Sequence, residues 1–532
     1  MPITSTHNLL DRTASSPVPL AQSRYTYLFP HLAEDPLAGC VTGTTPRETC
    51  DRLRAFELAS RIPLSGTPVL QMKLPAAYTY FGQFMNHDIS APVGDVVTQR
   101  DGTPAAGVIG TVDPPGLDRN RRATPGIILE NLVNEHENPL TLCSLYGEGP
   151  NSADAEVRAL YEADGKRFRM GKTRREADRF FTDLLINPAG VIHATGAPDL
   201  PRRDGKALIA DRRSDENLIL SQLHLALMLL HNKAVAALEP RVPDPADCFD
   251  QARELVTRHY HWLILHDYLP RLLSPSVLSR PLSRRPLRLN DANRVPLEFT
   301  TAAFRFGHSM VGSAYDFNAN FGLNGRISED GATLEDLFAF TSRNNMQSDV
   351  AETLALPDHW VIDWARMTRV LRPSANGTPR GFGAAERIDL TFARDMLNLV
   401  GESNVALHGS ILFRNLMRGF HRCIPLGQLL AVEYGVAPLS EDEMRAALPD
   451  GPPQGPGGKS LRDTAQALGF LRDTPAWLYF LCESLQRESG ERIGPTASHI
   501  IADTLVGLIR LNPGWFLNRD GGGWHPRDSV LG

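Results

Sequence analysis

Apolar residues recur every three or four positions through much of the chain, the spacing that places them on one face of an α-helix. The clearest run lies in 216–239, where Leu220, Leu223, Leu227 and Leu230 follow this spacing. Similar runs occupy 332–341, 388–400, 406–418, 476–488 and 496–511. Alternation typical of strands is brief and rare. The pattern therefore predicts a mainly α protein with little β structure.

Segments rich in glycine and proline interrupt the helical pattern. They fall in 92–126 and 449–460, and they predict long irregular loops. Residues 1–25 are polar and rich in Ser, Thr and Pro, which is typical of an arm that lies on the surface or is partly disordered. The length of 532 residues alone suggests about three or four domains.

Composition and charge exclude several classes of protein. With 42% hydrophobic and 22% charged residues, the chain is neither disordered nor fibrous. The formal net charge of −6 offers no basic surface for nucleic acid and no polybasic patch for a membrane. The most apolar stretch, 218–230, is too short to span a bilayer. Six scattered cysteines and the lack of a visible signal peptide favour a cytoplasmic protein with reduced thiols.

Two histidines stand in apolar surroundings. On a helix over 81–88, Gln83 and His87 are four residues apart and share one face. Further on, His308 lies on a predicted apolar helix and follows Gly307, whose missing side chain would let a planar group approach the backbone. Taken alone, each histidine is more often a hydrogen-bonded core residue than a ligand.

Two further segments combine charged and amide side chains. In 211–217 the acidic residues suit the start of a helix, but Arg213 is poorly explained by that interpretation. Asn415 stands on a predicted helix between Arg414 and Arg418, for which a solvated face is the simplest interpretation.

The order of these four motifs is more specific than any one of them. Gln-x-x-x-His-Asp, Arg-x-x-Glu, Arg-x-Gly-His and Asn-x-x-Arg together resemble the animal-type haem peroxidases of the peroxidase–cyclooxygenase superfamily, over roughly residues 70–512. The resemblance implies one large helical haem domain over 26–532 behind the arm 1–25. It also implies haem b as cofactor, and hydrogen peroxide acting through a ferryl intermediate on a small organic substrate or halide.

The resemblance assigns three residues to peroxide cleavage. Splitting the O–O bond needs a base that moves a proton between the two oxygens and a cation that stabilises the separating charge. His87 would be this acid–base, because an imidazole titrates near neutrality. Arg213 would be the cation, and Gln83 would orient the water on the same side of the haem.

On the other face of the haem, the resemblance makes His308 the axial iron ligand. Asn415 would accept a hydrogen bond from its second ring nitrogen and so fix the orientation and basicity of the ring. Arg305, three residues before the ligand, would pair with a haem propionate.

Departures from the family pattern bear on haem attachment and calcium. Glu216 matches a glutamate that forms an ester with haem in mammalian members, whereas Asn86 replaces the esterified aspartate, so at most one ester is expected. Asp88 matches a calcium ligand. Its companions would be Thr141 and Cys143, a thin set for a cation that prefers hard oxygens, so a bound calcium is not favoured.

Two other functions stay open. Cyclooxygenases and fatty-acid dioxygenases of the superfamily carry a radical-forming tyrosine three residues before the proximal histidine, where this chain has Arg305. A non-catalytic haem-binding protein would need neither His87 nor Arg213. The identity of the reducing substrate is set by access loops that the pattern does not resolve.

Overall fold

A computed structural model gives the fold of most of the chain. It describes residues 24–531 apart from 61–70, 94–96, 99–103, 106–121, 204–205, 280–281, 283–287, 342–354, 370–382, 394–395, 397–409, 451–458 and 512–523.

Helices dominate the described residues, which confirms the predicted mainly α fold. The α-helices are Pro30–Glu34, Pro46–Ser60, Ala77–Ile89, Pro125–Asn131, Cys143–Tyr146, Ala155–Arg158, Asp178–Asp183, Leu218–Leu238, Pro245–Leu263, Leu269–Leu272, Pro275–Leu278, Leu297–Thr301, Leu334–Ala339, Trp364–Met367, Ile411–His421, Gly427–Glu433, Glu441–Ala447, Leu461–Ala467, Ala476–Glu488 and Pro495–Leu511. Shorter 3₁₀ helices are Pro188–Gly190, Arg212–Asp215, Ala303–His308, Asp358–Trp360 and Pro526–Asp528, and Ile264–Tyr268 is a π-helix.

The strands are short and pair mostly in twos. A four-stranded sheet runs in the order Arg294–Pro296, Arg24–Thr26, Val133–Asn134 and Pro92–Val93, with its first two strands parallel. The two-stranded pairs are Gln71–Pro75 with Ala384–Glu386, Val97–Thr98 with Pro104–Ala105, Gly171–Lys172 with Pro198–Asp199, Arg202–Arg203 with Lys206–Ala207, and Ala314–Tyr315 with Ala332–Thr333.

Five of the predicted helices are found. The bounds of four agree with the prediction within two residues: Leu218–Leu238, Leu334–Ala339, Ala476–Glu488 and Pro495–Leu511. The helices expected over 332–341 and 406–418 are Leu334–Ala339 and Ile411–His421. Part of the helix predicted over 388–400 lies outside the described residues, namely 394–395 and 397–400, and 388–393 are not helical.

The predicted arm and loops differ from expectation at their described ends. Residues 1–23 lie outside the described residues, but Arg24–Thr26 is a strand of the four-stranded sheet. Tyr25 is fully buried and its hydroxyl lies 2.8 Å from Ser90 Oγ, so the last residue of the expected arm belongs to the core. Most of the loops 92–126 and 449–460 also lies outside the described residues.

The helix Leu218–Leu238 is the centre of the fold around the candidate site. It packs against Pro245–Leu263 on one side and Ala77–Ile89 on another. The apolar run is longer than the predicted 218–230, and the 21-residue helix is long and apolar enough to cross a membrane. However, 61% of its most apolar window is buried inside the protein, as in the core helix of a globular domain.

Glu386, at the end of the strand Ala384–Glu386, provides a test of the packing. It is 7% exposed, and burial raises its pKa to about 7 although Gln71 donates a hydrogen bond to it. Because the folded-state pKa lies above the unfolded value, the folded chain binds an extra proton between about pH 4.5 and 7, so this carboxyl lowers stability as the pH rises through that window.

We expect the difference in unfolding free energy between Glu386→Gln and the natural chain to shift in favour of the variant as the pH rises from 5 to 8. The gain should be about 1–2 kcal/mol, since one pKa unit corresponds to about 1.4 kcal/mol and part of the shift is screened. Urea unfolding at both pH values measures it, with the exposed Glu162→Gln as control. A difference between Glu386→Gln and the natural chain that does not change with pH would contradict the expected burial of charge.

Candidate functional site

One cavity brings together residues that are far apart in the sequence. Its empty volume, counted together with its opening to solvent, is about 1310 Å³. Gln83 and His87 line it from one segment, and Arg305 and His308 from another. Glu216 lines it as well. Five of the eight residues singled out in the sequence therefore share one cavity.

The first wall is the helix Ala77–Ile89, called the His87 helix below. Gln83 and His87 both face the cavity, as their spacing predicts, while Phe84 and Met85 are fully buried on the other faces. The helix ends at Ser90, two residues before a proline, where the chain becomes extended. His87 itself is only 5% exposed, so the imidazole acts in a largely dry environment.

The side chains of His136 and Arg213 contact the backbone carbonyl of His87. The carbonyl oxygen of His87 lies 2.7 Å from His136 Nε2 and accepts a hydrogen bond of 2.9 Å from Arg213 Nη2. Arg213 Nη1 also donates to the carbonyl of Ser90 at 2.8 Å. These contacts occupy carbonyls at the end of the His87 helix that have no partner within it.

Arg213 itself does not line the cavity. Its guanidinium makes an ion pair of 2.6 Å with Asp211, which is buried. Burial opposes ionisation of this carboxyl, but Arg213 and then His136 hold the pKa of Asp211 well below its usual range. Arg213 is therefore not among the residues that line the cavity, and it contacts the main chain of His87. Its role as the cation beside the peroxide stays a prediction.

Asn217 links Gln83 to the longest helix around the site. Its Oδ1 caps the helix Leu218–Leu238 by accepting a hydrogen bond of 2.9 Å from the N–H of Leu220. Its Nδ2 donates to Gln83 Oε1 at 3.2 Å. The amide of Gln83 is thereby held in one orientation at the cavity wall.

The second wall contains His308, in a 3₁₀ helix rather than the α-helix that the apolar sequence suggested. This turn, Ala303–His308, packs against Ala476–Glu488 and Pro495–Leu511. Trp477 Nε1 donates a hydrogen bond of 3.1 Å to the carbonyl of Arg305. Tertiary packing against long helices thus outweighs the local helical pattern.

The ring of His308 contacts Asn415 as predicted. Asn415 Nδ2 lies 3.0 Å from His308 Nδ1, and Asn415 Oδ1 is a buried atom with no hydrogen-bond partner among the described residues. Rotating the Asn415 amide by 180° places Oδ1 beside His308 Nδ1, where Oδ1 accepts a hydrogen bond from the Nδ1–H group. This tautomer leaves the Nε2 lone pair of His308 free of a proton.

Three arginines line the same cavity: Arg305, Arg414 and Arg418. Burial and repulsion from Arg422 lower the pKa of Arg305 to about 10, and burial with repulsion from Arg305 lowers that of Arg418 well below its usual range. The face of the helix Ile411–His421 that carries Arg414 and Arg418 therefore borders the cavity and is half-buried, which corrects the simplest sequence interpretation of a solvated face. Such crowded positive charge favours binding of an anionic group.

These side chains fit the cofactor that the sequence implies. An imidazole whose second nitrogen is held by an amide suits an axial iron ligand, and the arginines suit the two carboxylates of haem. Gly307 lines the cavity, and an added Cβ would meet no atom within 4 Å, so its backbone borders open space. The remaining lining is largely apolar, and it includes Phe304, Met310, Val311, Leu334, Phe338 and Ile411.

The two expected positions of haem attachment both reach the cavity. Glu216, which follows the 3₁₀ helix Arg212–Asp215, lines it together with Asn86. Asn86 Oδ1 is a buried atom with no hydrogen-bond partner among the described residues. A carboxylate and an amide therefore both border the cavity, and the single ester through Glu216 stays a prediction.

Asp88, the expected calcium ligand, is fully buried behind the His87 helix. Its carboxylate accepts hydrogen bonds from the N–H of Leu142 at 2.9 Å and from the N–H and hydroxyl of Ser144 at 3.1 and 3.0 Å. Among the described residues, no group of three or more His, Cys, Asp or Glu side chains is arranged to hold a metal ion. Asp88 therefore anchors the helix Cys143–Tyr146 to the His87 helix.

Sequence reasoning assigned no role to several residues that line the cavity. Arg418 completes the Asn-x-x-Arg motif, and this was the only signal that could have indicated it. Tyr80 and Tyr268 also line the cavity, although neither lies in a quoted motif. Their direction depends on how helices pack, which single-sequence periodicity does not specify.

Comparisons with known proteins agree with this geometry. The family model described as animal haem peroxidase matches residues 146–355. Human thyroid peroxidase is 28% identical over 179 residues, which are 32% of this chain and 19% of that protein. The match thus spans about a fifth of the length of the curated relatives.

Solved structures share the fold. Peroxidase A of Dictyostelium discoideum superposes with a TM-score of 0.55 at 17% identity, covering 94% of this chain and 91% of that one. A fatty acid alpha-dioxygenase of Oryza sativa superposes with a TM-score of 0.53 at 13% identity, covering 87% of this chain and 73% of that one. Residues 146–355 are therefore similar to animal haem peroxidases, and most of the chain shares its fold with a peroxidase and a fatty acid alpha-dioxygenase.

Proposed function

We propose that this protein is a haem peroxidase that reduces hydrogen peroxide and oxidises a small organic substrate or a halide. The observation that carries the proposal is that His87, His308 and three half-buried arginines line one cavity. When bound there, haem supplies the iron at which peroxide is reduced. His308 would hold it from one side and Arg305 and Arg418 would pair with its carboxylates.

His87 provides the proton transfer. A peroxide in the cavity must lose a proton from one oxygen and receive it at the other, so that the leaving oxygen departs as water. The His87 imidazole can do both, because its main chain is fixed by His136 and Arg213 while its ring faces the cavity. Arg213 would contribute by holding the histidine in place.

Gln83 would orient water and peroxide relative to the His87 imidazole. The Oε1 atom of Gln83 accepts a hydrogen bond from Asn217. The two amide protons on Gln83 Nε2 are therefore available as donors toward the cavity. A donor that faces an oxygen atom on which negative charge develops lowers the barrier to O–O cleavage. The orientation of Gln83 is therefore as important as its presence.

Asn415 would set the electronic character of His308. An amide oxygen that accepts the Nδ1–H proton makes the other ring nitrogen a better ligand and keeps the ring in one orientation. The observed separation of 3.0 Å between Asn415 and His308 supports this role.

A panel of reductants tests the proposed function. Haem-loaded protein should oxidise phenols or iodide only when hydrogen peroxide is added, and the apolar lining favours an organic substrate over chloride. Protein that binds haem but leaves peroxide and every reductant unchanged would indicate a non-catalytic haem-binding protein.

Fatty-acid dioxygenation is the second candidate, because Tyr80 and Tyr268 place phenols at the cavity wall. In that reaction oxygen is consumed with a polyunsaturated fatty acid and no peroxide is needed. Arg305, three residues before His308, makes it the less favoured of the two. An oxygen electrode separates the candidates, since a peroxidase consumes peroxide and a phenol instead.

Glu216 leads to a prediction about haem attachment. Peroxide turnover should link part of the haem to the protein by a single ester, because Glu216 offers a carboxylate at the cavity and Asn86 offers none. Denaturing mass spectrometry should detect the linked protein, and Glu216→Gln should abolish it. Haem that stays fully extractable after turnover, or a link that survives Glu216→Gln, would contradict the assignment.

A further inference from the structure

Two tyrosines connect the cavity with the protein surface. Tyr268 lines the cavity and is 2% exposed. Its ring stacks on that of Tyr78, with centroids 6.2 Å apart and planes inclined by 16°. Tyr78 is half-buried, so the pair extends from the cavity wall to solvent.

The backbone around Tyr268 is arranged to bring its phenol into the cavity. Tyr268 ends the π-helix Ile264–Tyr268, and Pro270 has no N–H to donate to the carbonyl of the residue four positions earlier. Gly82 leaves the space that the hydroxyl occupies, because an added Cβ would lie 2.5 Å from Tyr268 Oη. The phenol thus packs against the His87 helix beside Gln83.

The outer tyrosine has a carboxylate partner. The hydroxyl of Tyr78 donates to Asp267 Oδ2, and the side chain of Asp267 is 31% exposed. Arg271 Nε donates to Asp267 Oδ1 at 2.6 Å, and its guanidinium lies 5.6 Å from the centre of the Tyr78 ring. Burial and the hydrogen bond to Asp267 raise the pKa of Tyr78, so the phenol is protonated at neutral pH.

We propose that Tyr268 and Tyr78 carry an oxidising equivalent from the cavity to the surface, where Tyr78 oxidises phenolic electron donors that are too bulky to enter the cavity. The inference rests on the proposed peroxidase function, because peroxide reduced at the haem supplies the oxidising equivalent. It adds a second site of substrate oxidation to the one inside the cavity.

The electrons and protons balance at each step. An electron passes from Tyr78 through Tyr268 toward the haem, so that Tyr268 keeps its own proton and is unchanged, and the phenolic proton of Tyr78 moves to Asp267 Oδ2 as the electron leaves. A phenol at the surface then returns one electron and one proton to Tyr78, and Asp267 releases its proton. One peroxide becomes two waters while two phenols become phenoxyl radicals.

Asp267 stabilises the radical on Tyr78, so that the oxidising equivalent is held there. A tyrosine that is protonated at neutral pH becomes strongly acidic once it has lost an electron, and a hydrogen-bonded carboxylate can take its proton without rearrangement. Arg271 remains paired with the other carboxylate oxygen and keeps Asp267 in place.

Tyramine coupled to a large dextran, compared with free tyramine, tests the proposal on haem-loaded protein. Tyr78→Phe should lower kcat/KM for the dextran-bound phenol at least about tenfold and change that for free tyramine less than about twofold. Tyr434→Phe is the matched control, because Tyr434 bonds to Asp503 at 2.9 Å and lies 4.9 Å from the Arg288 guanidinium but does not line the cavity.

A second readout does not depend on turnover of substrate. With peroxide and the trap 2-methyl-2-nitrosopropane, mass spectrometry of the natural chain should map an adduct to Tyr78, and Asp267→Asn should reduce it. If Tyr78→Phe oxidises both free tyramine and dextran-bound tyramine as efficiently as the natural chain does, the inference is overturned and the proposed function is left intact. A natural chain that oxidises neither phenol would contradict the proposed function, and the inference with it.

Discussion

Replacing His87 by alanine should slow the reaction of the haem-loaded protein with hydrogen peroxide by about a hundred- to ten-thousandfold, the usual contribution of a positioned acid–base group. The imidazole faces the cavity and is 5% exposed, so bulk water is a poor substitute for its proton transfer. Stopped-flow absorption after mixing with peroxide measures the rate directly.

The pair His87→Gln and His136→Gln separates proton transfer from positioning. Glutamine at 87 retains hydrogen bonding but cannot move a proton, so it should be nearly as slow as alanine. Glutamine at 136 removes the ring whose Nε2 lies 2.7 Å from the His87 carbonyl and leaves the His87 ring in the cavity, so its effect should be smaller. Equal rates for the natural chain and His87→Ala would rule out the assigned role.

Haem affinity should fall at least about 100-fold in His308→Ala. Loss of only the hydrogen-bond partner of a metal-bound histidine costs about 10–100-fold in affinity, and here the ligand itself is removed. The arginines would still attract the haem carboxylates, so weak binding without a histidine-ligated spectrum should remain. Titration of haem into the apoprotein, followed by the Soret band, measures the affinity.

His421→Ala provides the control for this experiment. His421 lies on the same helix as Asn415 and is buried, yet it does not line the cavity. Its replacement removes a buried imidazole without removing a ligand, so haem affinity should change little if the chain folds. A histidine-ligated spectrum retained by His308→Ala, with unchanged affinity, would show that another residue binds the iron.

Local spacing was enough to predict one wall of the site. Gln83 and His87 stand four residues apart on a helix, so their common face follows from helix geometry alone. The order of four motifs then linked this helix to His308 and Asn415, whose contact of 3.0 Å no single segment could have indicated. Together these signals gave the fold class and most of the cavity.

The remaining features depend on tertiary packing. Arg213 turns toward Asp211 and the carbonyl of His87, and the direction of a long side chain is decided by such partners rather than by spacing. Arg414 and Arg418 carry the same charge whether they face water or a cavity, so sequence favoured water. The stack of Tyr268 on Tyr78 depends on a π-helix that periodicity does not predict.

The stoichiometry of peroxide and phenol under anaerobic conditions tests the central claim most directly. Haem-loaded protein should consume two phenols for each hydrogen peroxide, with no requirement for oxygen, because each phenol gives one electron. Phenol left unoxidised in the presence of peroxide, or substrate oxidation that proceeds only when oxygen is supplied, would contradict the assignment of this cavity as a peroxidase site.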